Sequence, residues 1–468
     1  MKEQIKGKNI LVLGLARSGQ AAIKLLLKAG ASKIIGNDQK GLLELAAEMK
    51  DLCRNSRVTL VGGGHPENLV DEVSLVIKSP GIKPDLPLLR SASARGIPVY
   101  AEIELAYWFS AAEIIGITGT NGKTTTTSLV GEILQGQLPQ VFVAGNIGHP
   151  LCEAVAAAGR GDLIVAELSS FQLENIDSFR APIAAVLNIS SDHLDYHGTM
   201  PRYIQAKSRL LANQQKTDMA VLNYDDENVR DLRDQVQGHL QFFSRKHLLE
   251  TGVCLHQGRI VIREKGREEL VCHAADLLIP GPHNLENALA AVAVARARGV
   301  RREQIARTLK TFRGVPHRLE FVSEINGVRY VNDSKGTNEE ATLTALKALQ
   351  GSKILVAGGM DKGSSFHNLA AALEREKVSW LILLGETAPL LQKRALEAGF
   401  SRVVLAADLP EAVHKAYLQA VTGDTVLLSP ACASWDMFSS YEERGDVFKS
   451  EVGRLKEGLS HGKSPRRG

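Results

Sequence analysis

Short apolar runs alternate with longer amphipathic stretches through most of this chain. Asn9 to Leu13 and Ile34 to Asn37 are apolar runs of strand length, and Gln20 to Ala29 between them has apolar residues at helical spacing. This alternation predicts parallel sheets covered by helices, an α/β fold. Similar runs predict further strands at Leu75–Lys78, Pro98–Tyr100, Ile114–Thr118, Asp162–Glu167 and Ala184–Ile189, and helices at Glu102–Phe109, Thr126–Leu134 and Asn284–Ala297.

Two changes of pattern indicate three domains. The predicted strands become short after Ser244, and a turn-rich segment at Phe312 to Pro316 precedes a third alternating series. A length of 468 residues also fits roughly three domains at about 150 residues each. We predict an N-terminal Rossmann-like domain at 1–102, a central phosphate-loop ATPase-type α/β domain with an added small sheet at 103–313, and a C-terminal Rossmann-like domain at 314–468. Strands of the third domain are predicted at Val328–Val331, Lys353–Ala357, Trp380–Leu384, Val403–Ala406 and Thr425–Leu428.

Composition and charge argue against several classes of protein. The net charge is +4 and aromatic residues make up 5% of the chain, without the clustered basic stripe of a nucleic-acid-binding protein. No stretch of the sequence reaches the roughly 18 apolar residues of a membrane-spanning helix, so we expect neither nucleic-acid binding nor membrane insertion. The five cysteines are odd in number and lack a CxxC pair, which favours the reducing cytoplasm. A monomer is expected.

The segment Gly119 to Thr125 has the sequence of a phosphate-binding loop between a predicted strand and a predicted helix. Glycines allow backbone N–H groups to close around phosphate oxygens, Lys123 can reach the terminal phosphates, and the Thr124 hydroxyl can hold Mg²⁺. The match to GxxxxGK[ST] is imperfect because Ile117 occupies the first glycine position. The prediction therefore depends on the whole string ITGTNGKTTT. The predicted phosphate-binding residues are Gly119, Thr120, Asn121, Gly122, Lys123, Thr124 and Thr125.

Two further strand ends carry side chains that bind metals. Glu167 closes the apolar run LIVAE, and ligands of open α/β sheets bind at the carboxyl ends of the strands. Asp192 and His193 follow another predicted strand, AAVLNIS. Taken singly, the carboxylate has an ordinary explanation as a solvated strand end, and the histidine as a structural residue. Together with Thr124 they predict magnesium ligands and a second metal site.

Eight strings occur in order across nearly the whole chain: TGTNGKTT, AELSSFQL, NISSDHLDYHG, YIQAKSRL, GPHNLENALAA, PHRLE, NDSKGTN and SPACASWDMF. In the sequence and order of these strings, the chain resembles the Mur ligases of peptidoglycan synthesis. NDSKGTN, GGMDKG and SPACASWDMF are most similar to the members that add D-glutamate to UDP-N-acetylmuramoyl-L-alanine. The resemblance implies an ATP-dependent carboxylate–amine ligase, in which an acyl phosphate and then a tetrahedral intermediate lead to the amide. It also implies a UDP-substrate domain, an ATPase domain and a C-terminal domain that helps to bind the amino acid.

The resemblance also assigns residues. It implies two Mg²⁺ ions held by Thr124, Glu167, His193 and a carbamylated Lys207, since an ammonium could not coordinate the metal and a carbamate could. For the catalytic group it implies Lys123, Glu167, His193, Lys207 and Lys335, and for the adenosine and phosphates of ATP Asn284, Asn287, Arg318 and Asp333. For the UDP substrate it implies Leu15, Ala16, Asp38, Ser79, Gly81, Asn146, Ser169 and Gln172. For D-glutamate it implies Thr337, Lys362, Ser434 and Tyr441, with Asp192 and His193 facing the amine. Many relatives have Phe at position 441, so the Tyr441 hydroxyl is a departure.

Rival interpretations remain for the N-terminal glycine loop. Gly14 to Gly19 follows the first predicted strand, and Asp38 ends the next one, as in a dinucleotide-binding fingerprint. Ala16 stands where the second glycine should be, and an NAD-dependent dehydrogenase would leave the Gly119–Thr125 loop unexplained. A ligase of the same superfamily that adds a different amino acid, a folylpolyglutamate synthetase and a non-catalytic nucleotide switch stay open as well.

Overall fold

The computed structural model of the protein describes residues 5–135, 140–279, 281–361 and 363–460. Two compact units divide the chain, the first comprising Met1–Leu277 and Pro282–Phe312, the second Leu278–Gly281 and Arg313–Gly468. The first unit contains two sheets and the second contains one. Helices cover mainly parallel strands throughout, which confirms the predicted α/β class with three sheets. Within the described ranges no helix has the length and apolarity that a bilayer crossing requires.

The first sheet is a parallel, Rossmann-like sheet with the order β3-β2-β1-β4-β5. Because the chain leaves β1 in one direction and later returns to β4 on its other side, the loops after these two strands flank a topological switch point, where ligands of such sheets bind. The strands are β1 (Asn9–Leu13), β2 (Lys33–Asn37), β3 (Val58–Val61), β4 (Leu75–Lys78) and β5 (Val99–Ala101). The helices of this region are α1 (Arg17–Lys28), α2 (Leu42–Glu48), α3 (Lys50–Cys53), α4 (Pro87–Ala94) and α5 (Glu102–Phe109).

The second sheet has nine strands in the order β14-β13-β12-β11-β10-β9-β6-β8-β7. Strand β6 lies between β8 and β9 and is parallel to both, so the loops that follow these three strands meet at one edge. The strands are β6 (Glu113–Thr118), β7 (Val141–Gly145), β8 (Leu163–Glu167), β9 (Ile183–Val186), β10 (Met219–Asn223), β11 (His239–Ser244), β12 (Gly252–His256), β13 (Arg259–Glu264) and β14 (Arg267–His273). The helices are α6 (Lys123–Leu134), α7 (Leu151–Ala157), α8 (Ser170–Leu173), α9 (Leu194–His197), α10 (Met200–Ala212), α11 (Glu227–Arg230), α12 (Pro282–Ala297) and α13 (Arg302–Thr311).

The short strands after Ser244 extend this second sheet. Strand β12 pairs with β11 through two residue pairs, whereas β12, β13 and β14 pair with one another as an antiparallel meander. The two connecting turns, at 257–258 and 265–266, each have positive φ at both residues. Two-residue turns of this kind match the twist of antiparallel strands. The three strands of the meander are therefore joined by tight turns and pair mainly with one another at the edge of the sheet.

One apolar core is shared by the first two sheets. Its buried side chains come from α1, β1 and α5 as well as from β8, β9 and α10. A buried polar contact accompanies it, since the Glu102 carboxylate accepts the Cys152 N–H at 2.6 Å, and burial raises the pKa of Glu102 to about 7. The shared core fixes the loops after β1 and β4 relative to the loops after β6, β8 and β9.

The sheet of the second unit has the order β15-β16-β20-β17-β18-β19, parallel except for the β15–β16 pair. Its two faces have separate apolar cores, because successive strand residues point to opposite sides. The strands are β15 (Glu320–Ile325), β16 (Val328–Asn332), β17 (Lys353–Ala357), β18 (Val378–Leu383), β19 (Val403–Leu405) and β20 (Thr425–Leu428). The helices are α14 (Glu339–Ala348), α15 (His367–Ala372), α16 (Ala388–Glu397), α17 (Leu409–Gln419) and α18 (Tyr441–Ser460).

Candidate active site

The predicted phosphate loop, residues 119–125, joins β6 to α6. Gly122 has a φ of 81° at the start of the helix, and a Cβ built there would overlap Oδ1 of Asn287. Glycine is therefore needed both for the backbone conformation and for the close approach of Asn287. The side chain of Asn188 holds the loop from the other side, accepting the Asn121 N–H at 2.7 Å and donating to the Asn121 carbonyl at 3.1 Å.

Helix α12 brings the two predicted adenine-side asparagines against this loop. Asn287 is buried, and its Nδ2 donates to Oδ1 of Asn284 at 3.2 Å. The Thr126 hydroxyl of α6 donates to Asn287 Oδ1 at 3.4 Å. Because α12 packs along α6, both asparagines are positioned by the same helix pair that carries the phosphate loop.

Two lysine ammonium groups meet at one carbonyl of the loop. Lys123 Nζ donates to the Gly119 carbonyl at 2.9 Å and to the Thr120 carbonyl at 2.7 Å. Lys207 Nζ, from α10, donates to the same Gly119 carbonyl at 2.8 Å. The loop therefore has two adjacent cations of different origin, one from its own helix and one from a distant helix.

Lys207 is a buried lysine whose charged form is disfavoured. Its exposed fraction is 1%, and its Nζ lies 4.6 Å from the centre of the Tyr203 ring. Burial, and after it the neighbouring Lys123, lower the pKa of Lys207, while Asp192 and Glu167 act in the opposite direction, and the resulting pKa is about 7. A substantial fraction of Lys207 is thus a neutral amine at physiological pH.

Glu167 has a carboxylate oxygen without a partner. The side chain is buried at the end of β8, and its Oε1 accepts the Asn146 amide at 2.8 Å. Oε2 is also buried, and within the described part of the chain it makes no hydrogen bond. Because an unpartnered buried carboxylate oxygen is costly, the donor set suits a cation at this position. The unpartnered Oε2 of Glu167 is therefore the structural feature that suits a magnesium ion, which prefers oxygen ligands.

Asp192 and His193 lie on the loop after β9. His193 has a φ of 52° at the start of α9, its ring is half-exposed, and its Nε2 lies 3.3 Å from Oδ2 of Asp192. The His193 ring also contacts the Phe171 ring, at 4.9 Å between centres. Among the residues with described positions, no three His, Cys, Asp or Glu side chains converge as metal ligands. Joint metal binding by Glu167 and His193 therefore stays a prediction.

Aromatic residues that the sequence did not single out connect the loops. The Tyr203 hydroxyl shares a hydrogen bond with the Thr120 hydroxyl at 3.2 Å, under the ammonium of Lys207. His197 packs against Tyr203, at 5.2 Å between rings, and its Nε2 shares a hydrogen bond of 2.9 Å with the hydroxyl of Ser170. The only advance signal was their position inside conspicuous strings such as NISSDHLDYHG and YIQAKSRL.

A buried polar contact joins the first sheet to the loop of Asp192 and His193. Lys78 ends β4 at 1% exposure, and its Nζ lies 3.1 Å from the Tyr196 hydroxyl and 3.2 Å from the Ile82 carbonyl. The Tyr196 hydroxyl donates to Oε2 of Glu174 at 2.9 Å. Burial lowers the pKa of Lys78, and Glu174 opposes that effect. The turn after β4 is thereby tied to α9.

Three of the predicted UDP-substrate residues of the first sheet meet at its switch point. The Leu15 N–H donates to Oδ2 of Asp38 at 2.6 Å, and the Ser79 hydroxyl donates to the Gly14 carbonyl at 2.8 Å. Gly14 has a φ of 82°, and a Cβ there would lie 2.8 Å from that of Ser79. The loops after β1 and β4 are therefore bonded to each other. The remaining predicted residues of these loops, Ala16 and Gly81, are exposed.

Ser169 and Gln172 form the cap of α8. The Ser169 hydroxyl accepts the Gln172 N–H, and the Gln172 side chain accepts the Ser169 N–H at 2.9 Å. This reciprocal arrangement is a capping box. Both residues thus have a structural role at the end of β8, and the predicted sugar contact stays a prediction.

In the second unit, Asp333 follows β16 and is nearly fully buried. Its Oδ2 accepts the Ser429 hydroxyl at 2.7 Å, and its Oδ1 accepts the Leu319 N–H at 3.2 Å. Burial raises the pKa of Asp333 to about 6, against the lowering effect of these hydrogen bonds and of Arg318. Arg318 and Asp333, the two predicted nucleotide residues of this unit, lie close enough for the charge of Arg318 to lower the pKa of Asp333.

The predicted amino-acid residues of the second unit lie at the carboxyl ends of its strands and at the start of α18. Lys335 Nζ lies 5.8 Å from the centre of the Tyr441 ring, and the Thr337 N–H donates to the Lys335 carbonyl at 2.9 Å. Ser434 is buried after β20. Lys362 lies outside the described residues. The assignment of Thr337, Lys362, Ser434 and Tyr441 to D-glutamate, and that of Lys335 to the acyl phosphate, stay predictions.

Three family models match successive segments of the chain. The model described as Mur ligase MurD-like, N-terminal domain, matches residues 8–101. That described as Mur ligase middle domain matches residues 117–295, and that described as Mur ligase, glutamate ligase domain, matches residues 317–432. Their order follows the order of the three sheets.

Curated relatives are similar over their whole length. The UDP-N-acetylmuramoylalanine--D-glutamate ligase of Pelotomaculum thermopropionicum is 47% identical over 458 residues, 98% of this chain and 100% of that protein. The ligase of the same name from Thermoanaerobacter pseudethanolicus is 46% identical over 460 residues, 97% of this chain and 100% of that protein.

Solved structures share the fold at lower identity. UDP-N-acetylmuramate-alanine ligase MurC of Thermotoga maritima has a TM-score of 0.57 at 19% identity, covering 96% of this chain and 100% of its own. MurF ligase of the same organism, in complex with ADP, has a TM-score of 0.54 at 18% identity, covering 97% of each chain. At these identities the likeness supports the fold alone.

Proposed function

The chain belongs to the Mur ligase family, and from that premise we propose that it joins D-glutamate to UDP-N-acetylmuramoyl-L-alanine at the expense of ATP. The observation that carries the proposal is the likeness to curated D-glutamate ligases, which covers 98% and 97% of this chain and the whole of each relative. The product is a precursor of peptidoglycan, so the enzyme acts in cell-wall synthesis. We place the reaction in the cytoplasm, in keeping with the cysteine content, and we propose a monomer.

The reaction proceeds in two steps that need charge stabilisation more than a protein nucleophile. The carboxylate of the L-alanyl group attacks the γ-phosphorus of ATP, giving an acyl phosphate and ADP. The amine of D-glutamate then attacks the acyl carbon, and the tetrahedral intermediate loses phosphate and a proton to give the amide. Lys123 contributes positive charge near the transferred phosphoryl group, and Lys335 contributes it at the acyl phosphate.

The metal-binding residues we propose are Thr124, Glu167, His193 and Lys207, for two Mg²⁺ ions. The bare Oε2 of buried Glu167 supports the first of these sites. When bound, magnesium neutralises phosphate charge and polarises the phosphoryl oxygens. Asp192 and His193 orient the incoming amine, while the Asn146 amide holds Glu167 in place through its 2.8 Å hydrogen bond.

We also propose that Lys207 is carbamylated. The neutral amine, which a pKa of about 7 makes abundant, attacks CO₂ and loses a proton to give an anionic carbamate. This change replaces one of two neighbouring cations by an oxygen ligand suited to magnesium. The group would then lie beside the Gly119 carbonyl, above the Tyr203 ring.

The remaining contacts divide between the three sheets. The UDP substrate is proposed to bind at the switch point of the first sheet, with Asn146, Ser169 and Gln172 on its sugar side. ATP is proposed to bind the loop of residues 119–125, with Asn284, Asn287, Arg318 and Asp333. D-glutamate is proposed to bind Thr337, Lys362, Ser434 and Tyr441.

An amino-acid panel tests the function. The purified protein is given ATP, magnesium, UDP-N-acetylmuramoyl-L-alanine and one of D-glutamate, L-glutamate, L-alanine, L-lysine or meso-diaminopimelate, with phosphate release and product mass as readouts. D-glutamate alone should give phosphate and a product heavier by one glutamyl residue. Lys123→Met should abolish the reaction, whereas Lys24→Met, at an exposed helix position, should match the wild type. Turnover with another amino acid would instead indicate a sibling ligase.

A further inference from the structure

Arg444 is a fully buried cation in the second unit that the sequence motifs do not single out. It lies on the first turn of α18 with 1% exposure, three residues after Tyr441. Its Nε donates to the Ser334 hydroxyl at 3.0 Å and its Nη2 to the Ser334 carbonyl at 2.8 Å. Its Nη1 donates to the carbonyls of Cys432 and Ala433 at 3.1 and 3.2 Å.

The hydrogen-bond partners of Arg444 within the described residues are neutral oxygens. Burial lowers the pKa of Arg444 to about 10, opposed by Cys432 and Asp436, so the guanidinium stays charged at neutral pH. Asp436 is exposed, and its Oδ2 accepts the Glu386 N–H. A buried charge is ordinarily paired with an opposite charge. Arg444 therefore leaves positive potential at this end of the sheet.

The loops that Arg444 joins carry the proposed amino-acid residues. Ser334 follows β16 and lies three residues before Thr337, while Cys432 and Ala433 follow β20 and precede Ser434. Strands β16 and β20 are parallel neighbours, so both loops lie at one edge. The planar guanidinium spans them in a geometry that a lysine could not reproduce.

The same contacts hold a third loop and a strained backbone. A Cβ built at Gly359 would lie 3.3 Å from Nη1 of Arg444, and the Met360 N–H donates to the Ala433 carbonyl at 3.0 Å. Ala431, just upstream, has a φ of 58°, which is unfavourable for a residue with a Cβ. Two donors on the Ala433 carbonyl help to maintain that conformation.

We propose that Arg444 is a positioning residue of the amino-acid site, which fixes the loops of Thr337 and Ser434 and supplies a permanent positive charge for a dicarboxylic substrate. This proposal depends on the proposed function, because D-glutamate is the substrate with two carboxylates. Arg444 acts through the loops it holds.

Variants at position 444 separate the geometric role from the electrostatic one. Arg444→Lys keeps the charge and loses the planar fork, so the KM for D-glutamate should rise roughly tenfold, as for the loss of a charge-assisted hydrogen bond. Arg444→Met loses both, and the increase should be about 100-fold. The KM values for ATP and for the UDP substrate should stay within about twofold of the wild type.

A milder variant covers the case in which Arg444→Met fails to fold. Ser334→Ala removes the acceptor of Nε, together with the hydroxyl donor to the Tyr441 carbonyl at 2.8 Å, and leaves the guanidinium in place. It should raise the KM for D-glutamate by about threefold to tenfold. Arg402 supplies the matched control. It donates to the carbonyls of Ser379 and Val378 at the opposite side of the same sheet, and Arg402→Lys should leave all three KM values unchanged.

The measurements distinguish an error in this inference from an error in the proposed function. If the wild type gives no phosphate with D-glutamate, the proposed function is wrong. If the wild type is active while the folded Arg444→Lys and Ser334→Ala variants raise the three KM values equally, or change none of them, Arg444 is a structural residue only. A selective rise in the KM for D-glutamate supports the proposal.

Discussion

Lys207 and Arg444 are both buried cations close to proposed substrate loops, yet their surroundings differ. Lys207 donates to the Gly119 carbonyl, lies near a second ammonium group, and has a pKa of about 7. Arg444 makes four hydrogen bonds to neutral oxygens and stays charged. Lysine loses its proton readily when buried and arginine does not. The first environment therefore prepares a side chain for chemical change, and the second preserves a fixed charge.

The largest expected effect is on turnover and concerns Lys207. If a plain cation were enough, Lys207→Arg would retain activity. We expect both Lys207→Arg and Lys207→Ala to lower kcat/KM by on the order of 10³-fold, because neither can supply an anionic oxygen ligand. Steady-state phosphate release checks this. Added acetate or formate should partly restore Lys207→Ala and not Lys207→Arg, and retained activity in Lys207→Arg would refute the carbamate proposal.

The next effect is on stability, where substitutions at the two positions should differ in size. Arg444→Met leaves the buried carbonyls of Ser334 and Cys432 without the donor that Arg444 supplies, and should lower the free energy of unfolding of the second unit by roughly 3 kcal/mol. Lys207→Met leaves the Gly119 carbonyl bonded to Lys123, and should change stability by no more than about 1 kcal/mol. Urea unfolding of each variant, followed by amide exchange in the strands of each unit, checks this. Equal losses would show that Lys207 is an ordinary structural lysine.

The smallest effect concerns pH. A folded pKa of about 7 against an ordinary 10.5 means that the folded chain binds fewer protons between these values. The contribution of Lys207 to stability is thus lowest below pH 7 and rises as pH rises through that window. The neutral amine should increase roughly tenfold from pH 6 to pH 8, and the carbamate at fixed CO₂ should increase more steeply, because its formation also releases a proton.

Carbon-13 NMR with labelled bicarbonate can measure that carbamate. The signal should grow with pH, disappear in Lys207→Arg, and persist in Lys353→Met. Lys353 is a suitable control because it is also buried, with its Nζ bonded to the carbonyls of Gly351 and Glu376. A signal that survives Lys207→Arg would place the carbamate elsewhere.

Much of the fold could be predicted because strand periodicity and strand ends are local properties. The predicted strands Asn9–Leu13, Leu75–Lys78, Lys353–Ala357 and Thr425–Leu428 match the structure to the residue. Helix α1 begins three residues earlier than predicted, because Arg17 to Gly19 belong to a glycine-rich loop pattern that turns directly into the helix. Glu167 could be found in the same way, since it closes an apolar strand beside the phosphate loop.

The partners of these residues could not be predicted because they come from distant parts of the chain. Nothing local indicates that Lys207 shares the Gly119 carbonyl with Lys123, or that Asn188 brackets Asn121. Arg444 looks like a surface residue in the polar sequence YEERGD. Its burial depends on α18 packing against the second-unit sheet, which is a property of the assembled fold.

The antiparallel meander of β12 to β14 has a practical consequence for handling this protein. Its strand pairing with the rest of the sheet consists of two residue pairs, α12 and α13 pack against it, and its turn at 265–266 is exposed. Extra chain in such a turn costs little, because the loop-closure penalty grows slowly with length. A fluorescent tag or a surface tether inserted there would leave all of the proposed substrate contacts in place.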